Sequence, residues 1–204
     1  LRRSTFFADL VEHFRERKDA VRSLAVMVAM ERWFQMEAAI LLDKQRDRYG
    51  IGGGDTANPD WWVTCEFQDV DIWVQGPSDD GIAIELKAIY NNKNFYAKLL
   101  EIRSDLTPDV KSVPSSVSKV ERMGIFVATY VRYATDCSGR YALLKSTRRG
   151  PPMPRALFLD ELQSGLAAAQ YGDSMPLRLL ALEELVSLEG AHYVEPGHGS
   201  AVWL

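Results

Sequence analysis

Hydrophobic positions along this chain recur at two different periods, and the switches between them mark where helices give way to strands. Phe6, Phe7, Leu10, Val11 and Phe14 repeat at helical spacing, with Arg15, Arg17 and Lys18 on the other side, which predicts a short amphipathic helix. Asp19 is placed to cap a longer second helix running to about Arg48. The cluster Gly50-Ile51-Gly52-Gly53-Gly54-Asp55 then breaks the chain. With no Gly-Lys-Ser/Thr after it, it reads as a flexible connector rather than a phosphate-cradling loop.

Beyond the glycines the period drops to two. Trp61 to Phe67 predicts a first strand, while Val70-Asp71-Ile72-Trp73-Val74 and Ile82-Ala83-Ile84-Glu85-Leu86-Lys87-Ala88-Ile89 alternate as a second and third. Gln75-Gly76-Pro77-Ser78-Asp79-Asp80-Gly81 between them is dense turn chemistry, so the pair reads as a hairpin. Asn91 and Asn92 end the third strand, and Phe95 to Leu106 has helical character. A polar segment with Pro108 and Pro114 leads to Gly124-Ile125-Phe126-Val127-Ala128-Thr129-Tyr130-Val131, an apolar run that fits a buried strand. Tyr141 to Leu144 is a further candidate strand, entered through Asp136-Cys137-Ser138-Gly139; Phe158 to Tyr171 and Leu177 to Leu188 read as helices. The order is helix, helix, three strands, helix, strand, then mixed elements: an α/β layer fold in one domain.

Against that pattern three charged residues stand out. Residues two apart on a strand share a face, which puts Glu85 and Lys87 side by side, and Asp71 on the neighbouring strand reaches the same spot. Two carboxylates and an ammonium on an apolar sheet are costly to hold without a purpose. The Glu-x-Lys triplet alone means little. Glu16-Arg17-Lys18 repeats it on a polar helix face, and Asp109-Val110-Lys111 repeats its looser form in a proline-flanked loop. Only Glu85-Leu86-Lys87 lies inside an apolar strand that follows an aspartate-bearing one.

The second helix adds an independent sign. At about 100° per residue, Val26, Met30, Trp33, Phe34, Ile40 and Leu41 fall within about 60° of Glu37, which centres Glu37 on the stripe expected to face the sheet. Glu31 points about 120° away, toward the surface.

Composition limits the partners. The 204 residues are 47% apolar and 25% charged, enough for one domain with a real core. With 28 acidic against 24 basic residues the net charge is -4, so no global basic field exists, although a single groove lined by Lys and Arg is still allowed. Cys65 and Cys137 have neither a disulfide framework's number nor a zinc site's spacing. No apolar run approaches the roughly 18 residues of a membrane span, and no signal peptide opens the chain at Leu1. The expectation is a cytoplasmic protein with no membrane partner, with a homodimer or a larger complex left open.

The succession helix-Glu37, strand-Asp71, turn, strand-Glu85-Leu86-Lys87, helix resembles the PD-(D/E)XK nuclease superfamily, the restriction-endonuclease-like fold. The resemblance covers about residues 20 to 131 and leaves residues 132 to 204 as C-terminal additions. It implies an α-β-β-β-α-β core with a central mixed sheet flanked by helices. It also implies that Asp71 and Glu85 hold Mg²⁺, that Lys87 orients or activates the attacking water, and that Glu37 completes the metal site. Asp69 is a further candidate ligand, whereas Asn58-Pro59-Asp60, the literal Pro-Asp pair, lies a strand too early.

The residue types suit that chemistry by themselves. Mg²⁺ prefers a few oxygen ligands plus water, which Asp71, Glu85 and the carbonyl of Leu86 could supply, and Mn²⁺ should substitute. Lys87 beside the nucleophile would be a point charge. The leading expectation is a metal-dependent nuclease, a DNA endonuclease of restriction, defence, repair or mobile-element processing. Its phosphate contacts would come from Lys93, Lys98 and Arg103, and from Lys145, Arg148 and Arg149 with Ser146 and Thr147. The rivals are a non-catalytic nucleic-acid or protein-interaction module on the same fold and a Mg²⁺-dependent phosphoesterase with a small substrate. His13, His192 and His198 do not cluster in sequence, and Trp61, Trp62 and Trp73 read as core or sheet surface rather than base-stacking platforms.

Overall fold

A computed structural model describes residues 1–25, 30–51, 62–67, 70–76, 80–92, 94–106, 117, 119–134, 153–167 and 179–204. The elements are α1 (Arg3–Glu16), α2 (Lys18–Leu24), α3 (Met30–Lys44), β1 (Trp62–Phe67), β2 (Val70–Gln75), β3 (Asp80–Tyr90), α4 (Phe95–Asp105), β4 (Lys119–Tyr130), α5 (Arg155–Ala167), β5 (Glu184–Ser187) and β6 (Ala201–Trp203). The chain is a mixed α/β protein, and among the described residues six strands form one sheet in the order β1-β2-β3-β4-β6-β5. β1, β2 and β3 pair antiparallel in succession, β3 runs parallel to β4, and β6 runs antiparallel to both β4 and β5.

Strand alternation divides the core. Ile82, Ile84, Leu86 and Ala88 of β3 join Phe6, Leu10 and Phe14 of α1 and Phe34, Ala38 and Leu42 of α3 in one cluster. On the other face Ile89 joins Phe126 and Ala128 of β4 with Phe95, Leu99 and Ile102 of α4 and Phe158 of α5. A third cluster holds Val70, Trp73 and Ala83. The Trp73 indole lies where a side chain on Gly81 would stand, with a Cβ there only 2.3 Å from Cη2, so glycine in β3 makes room for the ring. Trp73 is therefore core, as the pattern predicts.

Several expectations change. The single helix over residues 19–48 is instead α2 and α3, with residues 26–29 outside the described set. Asp19 does not cap α2: Arg17 takes that position, and Asp19 sits in the first turn, where its charge complements the helix dipole. β4 begins at Lys119, five residues before its apolar run, because it pairs with all of β3 from Asp80–Lys119 to Tyr90–Thr129. The helix expected over Leu177 to Leu188 is contradicted at Glu184–Ser187, which form β5, with Val186 opposite Val202 and Ser187 opposite Ala201 of β6. That pairing partner lies beyond a turn at Glu189 to Ser200, where Glu189 accepts N–H bonds from Gly197 and Ser200, and Gly197 and Gly199 adopt left-handed φ of 82° and 66°. The candidate strand Tyr141 to Leu144 and the connector from Gly52 onward lie outside the described residues.

Candidate functional site

The site begins where β2 stops covering the edge of β3. Their pairing runs from Gln75–Gly81 to Ile72–Ile84, and one step further Asp71 stands across from Glu85. Every second amide of β3 points to that edge and needs an acceptor. Leu86 N–H donates to Asp71 Oδ2 at 2.6 Å, and Ala88 N–H donates to Glu31 Oε2 at 2.7 Å. Two carboxylates thus stand in for a missing strand. Glu85 is 1% exposed. On β4 it lies opposite Gly124, where an added Cβ would meet Leu106 Cδ1 at 3.0 Å, so the C-terminal end of α4 packs close over this part of the sheet.

Lys87 shares the Glu85 face and reaches α4, its Nζ 3.0 Å from Asp105 Oδ2, with both side chains less than one-fifth exposed. Burial opposes the ammonium charge. The hydrogen bond and charge of Asp105, with the fields of Asp71 and Glu31, outweigh it and lift the Lys87 pKa above the ordinary lysine value. Lys87 is therefore a held positive charge at neutral pH, suited to stabilise negative charge rather than to accept a proton. The same Glu31 charge adds to burial in raising the Tyr90 phenol. Burial, with Glu66 and Asp71 nearby, also raises the Cys65 thiol, which argues against a thiolate role; Cys137 lies outside the described residues.

The structure brings Asp71, Glu85, Leu86 and Lys87 together, as the strand phase predicts. It places Glu37 elsewhere. Glu37 Oε2 lies 2.6 Å from His13 Nε2 and 3.6 Å from Arg17 Nε, facing α1 and the start of α2. Glu31, expected at the surface, is the α3 carboxylate that reaches β3, and one turn on Gln35 donates from Nε2 to the Asp71 carbonyl at 2.5 Å and to Glu66 Oε1 at 3.1 Å. The helix is rotated from expectation because Met36 and Ile40 are exposed while Ala38 and Gln35 are buried. Small or polar buried residues carry no weight in a hydrophobic stripe, and exposed apolar ones carry too much.

Of the candidate phosphate contacts, Lys98 is paired with Glu101 on α4, at 2.5 Å, and Arg103 lies in the same helix. Lys93, Lys145, Ser146, Thr147, Arg148 and Arg149 lie outside the described residues, as do Asp69 and Asn58-Pro59-Asp60. Asn91 is structural: it is buried and bridges both backbone groups of Val131. Asn92 accepts the Asn94 N–H in a turn.

Among the described residues no group of three or more His, Cys, Asp or Glu side chains is arranged to hold a metal ion. Carboxylate oxygens are the donor type that a hard divalent cation takes. The charges of Asp71, Glu31 and Asp105 all act on Lys87, and Glu85 lies two residues from it on the same strand face. Among the described residues no helix is long and apolar enough to cross a membrane. No protein-family model and no curated protein matches the chain.

Proposed function

We propose that this protein is a metal-dependent nuclease of the restriction-endonuclease-like kind, hydrolysing phosphodiester bonds in nucleic acid and acting on DNA as an endonuclease. The observation that carries the reading is the fork itself: Asp71, near the start of β2, accepts the Leu86 N–H between Glu85 and Lys87 on β3, where the ladder between the strands stops. The element order from α3 to β4, with its antiparallel, antiparallel and parallel pairings, supports the α-β-β-β-α-β core.

Asp71, Glu85 and the Leu86 carbonyl are the residues that would hold Mg²⁺ or Mn²⁺, with Glu31 in place of Glu37 as the carboxylate from the helix. Such an ion polarises a phosphate oxygen and lowers the pKa of its bound water. The chain's own part is to keep Lys87 charged beside that spot, where its ammonium compensates negative charge building on the phosphorus oxygens. Asp105 orients Lys87 from α4, and the β3 amides of Leu86 and Ala88 orient Asp71 and Glu31.

The test is incubation with plasmid, linear and single-stranded DNA and with RNA, in Mg²⁺, Mn²⁺ or EDTA. Cleavage that requires the metal is expected; no cleavage of any substrate in either metal would sink the assignment. A second reading, a non-catalytic binding module on this fold, is favoured by one observation: Asp71 and Glu31 already satisfy backbone amides and so have a structural use. That reading requires nucleic-acid or protein binding without hydrolysis.

A further inference from the structure

Gln35 is 4% exposed, a costly placement for an amide unless it is hydrogen-bonded. Its Nε2 donates to two strands at once, to the Asp71 carbonyl of β2 and to Glu66 Oε1 of β1. Four residues earlier on the same helix, Glu31 takes the Ala88 N–H of β3. Side chains at i and i+4 lie one above the other, so these two tie α3 to three strands around the fork.

The β1–β2 ladder is irregular at this point. Cys65 pairs with Ile72 and Phe67 with Val70, but Glu66, which stands across from Asp71, adopts a left-handed φ of 55°. A non-glycine residue keeps that conformation only where its surroundings hold it.

We propose that Gln35 is a positioning residue. It holds the main chain of Asp71 while Leu86 N–H holds its carboxylate, and so sets where that carboxylate stands relative to Glu85. Without the Gln35 amide, the Asp71 carbonyl loses this partner, and Glu66 and Asp71 are free to relax toward regular pairing, carrying the Asp71 carboxylate away from Glu85. The catalytic consequence rests on the nuclease reading; the clamp does not.

The full chain carrying Gln35→Met, which keeps length and removes the donors, is compared with Gln35→Asn, which keeps the amide but shortens its reach. Amide hydrogen exchange at Leu86 should accelerate roughly tenfold in both, with β4 amides unchanged. With Mg²⁺ and plasmid DNA, kcat should fall roughly 10- to 100-fold at unchanged KM, as expected for a displaced reacting group. Unchanged Leu86 exchange would mean that Gln35 only fills space. Faster exchange with unchanged kcat would overturn the positioning role. If Gln35→Met does not fold, Gln35→Asn decides alone. A parent chain that cleaves nothing removes the nuclease reading, while the Leu86 exchange rate still decides the clamp.

Discussion

The two edges of β3 are built differently. Toward β4 it pairs along its whole length, from Asp80–Lys119 to Tyr90–Thr129. Toward β2 the pairing ends at Ile72–Ile84, and the next amides on that edge go to Asp71 and Glu31. A main-chain ladder on the first edge fixes the strand, and side-chain acceptors on the second leave carboxylates concentrated at an opening. The proposed chemistry is assigned to the second edge. The strand is rigid because of one neighbour and equipped because it lacks the other.

The strongest way to break this comparison is to remove the carboxylates at the opening. Asp71→Ala and Glu85→Ala should each lower metal-dependent cleavage by at least about 10³-fold. Both variants should remain folded, since the β3–β4 ladder is untouched. Asp71→Ala should cost about 1 kcal/mol for the lost acceptor of Leu86 N–H, offset in part by relief of carboxylate repulsion. Urea melts and a plasmid-nicking assay measure the two effects; full cleavage by either variant refutes the site.

Lys87→Met should come next. Cleavage should fall by roughly two to three orders of magnitude, the loss expected when one charge-stabilising donor is removed. Mn²⁺ affinity by calorimetry should hold or strengthen, because an ammonium cannot coordinate a cation and its charge opposes one. Stability gives a second handle. The folded pKa of Lys87 is raised, so its contribution is whole below the ordinary lysine value of about 10.4 and is lost as pH rises through the folded value. The parent should therefore lose part of its advantage over Lys87→Met in melts taken at strongly alkaline pH. A constant difference between the two would show that the Asp105 pair is thermodynamically silent.

Much of this edge was legible in the sequence. Asp71, Glu85 and Lys87 could be found because a charged residue interrupts a period-two apolar pattern, and strand phase leaves little freedom in where it points. The α3 side was not legible in the same way. The hydrophobic stripe centred on Glu37 leaned on Ile40, which is 43% exposed, and could not register Ala38 or the buried Gln35. A helix packed on both α1 and a sheet has two buried faces, and hydropathy alone does not say which one meets the strands. β5 escaped for another reason: its partner β6 lies across a long turn, and a four-residue strand has too few positions to display a period.

The helix rotation gives a sharper contrast. Glu31→Gln should reduce cleavage by roughly tenfold or more, because it weakens the charge at the fork. Glu37→Gln should leave cleavage within twofold, about the scatter expected away from the reacting groups, and cost about 1 kcal/mol through its contacts with His13 and Arg17. If Glu37→Gln abolishes cleavage and Glu31→Gln does not, the α3 orientation is wrong as it bears on the site.

The smallest effect concerns the backbone beside the fork. Glu66 has a left-handed φ of 55° in β1, a conformation that disfavours a Cβ by roughly 1–2 kcal/mol. Glu66→Gly and Glu66→Ala both remove the carboxylate that accepts from Gln35, so their difference isolates the backbone. Glycine should be the more stable of the two by about 1 kcal/mol, the reverse of the usual order at a regular strand position. Paired urea melts measure it. Alanine equal to or better than glycine would mean that β1 passes Asp71 as a regular strand, and the opening beside β3 would then lack the irregular neighbour that Gln35 holds in place.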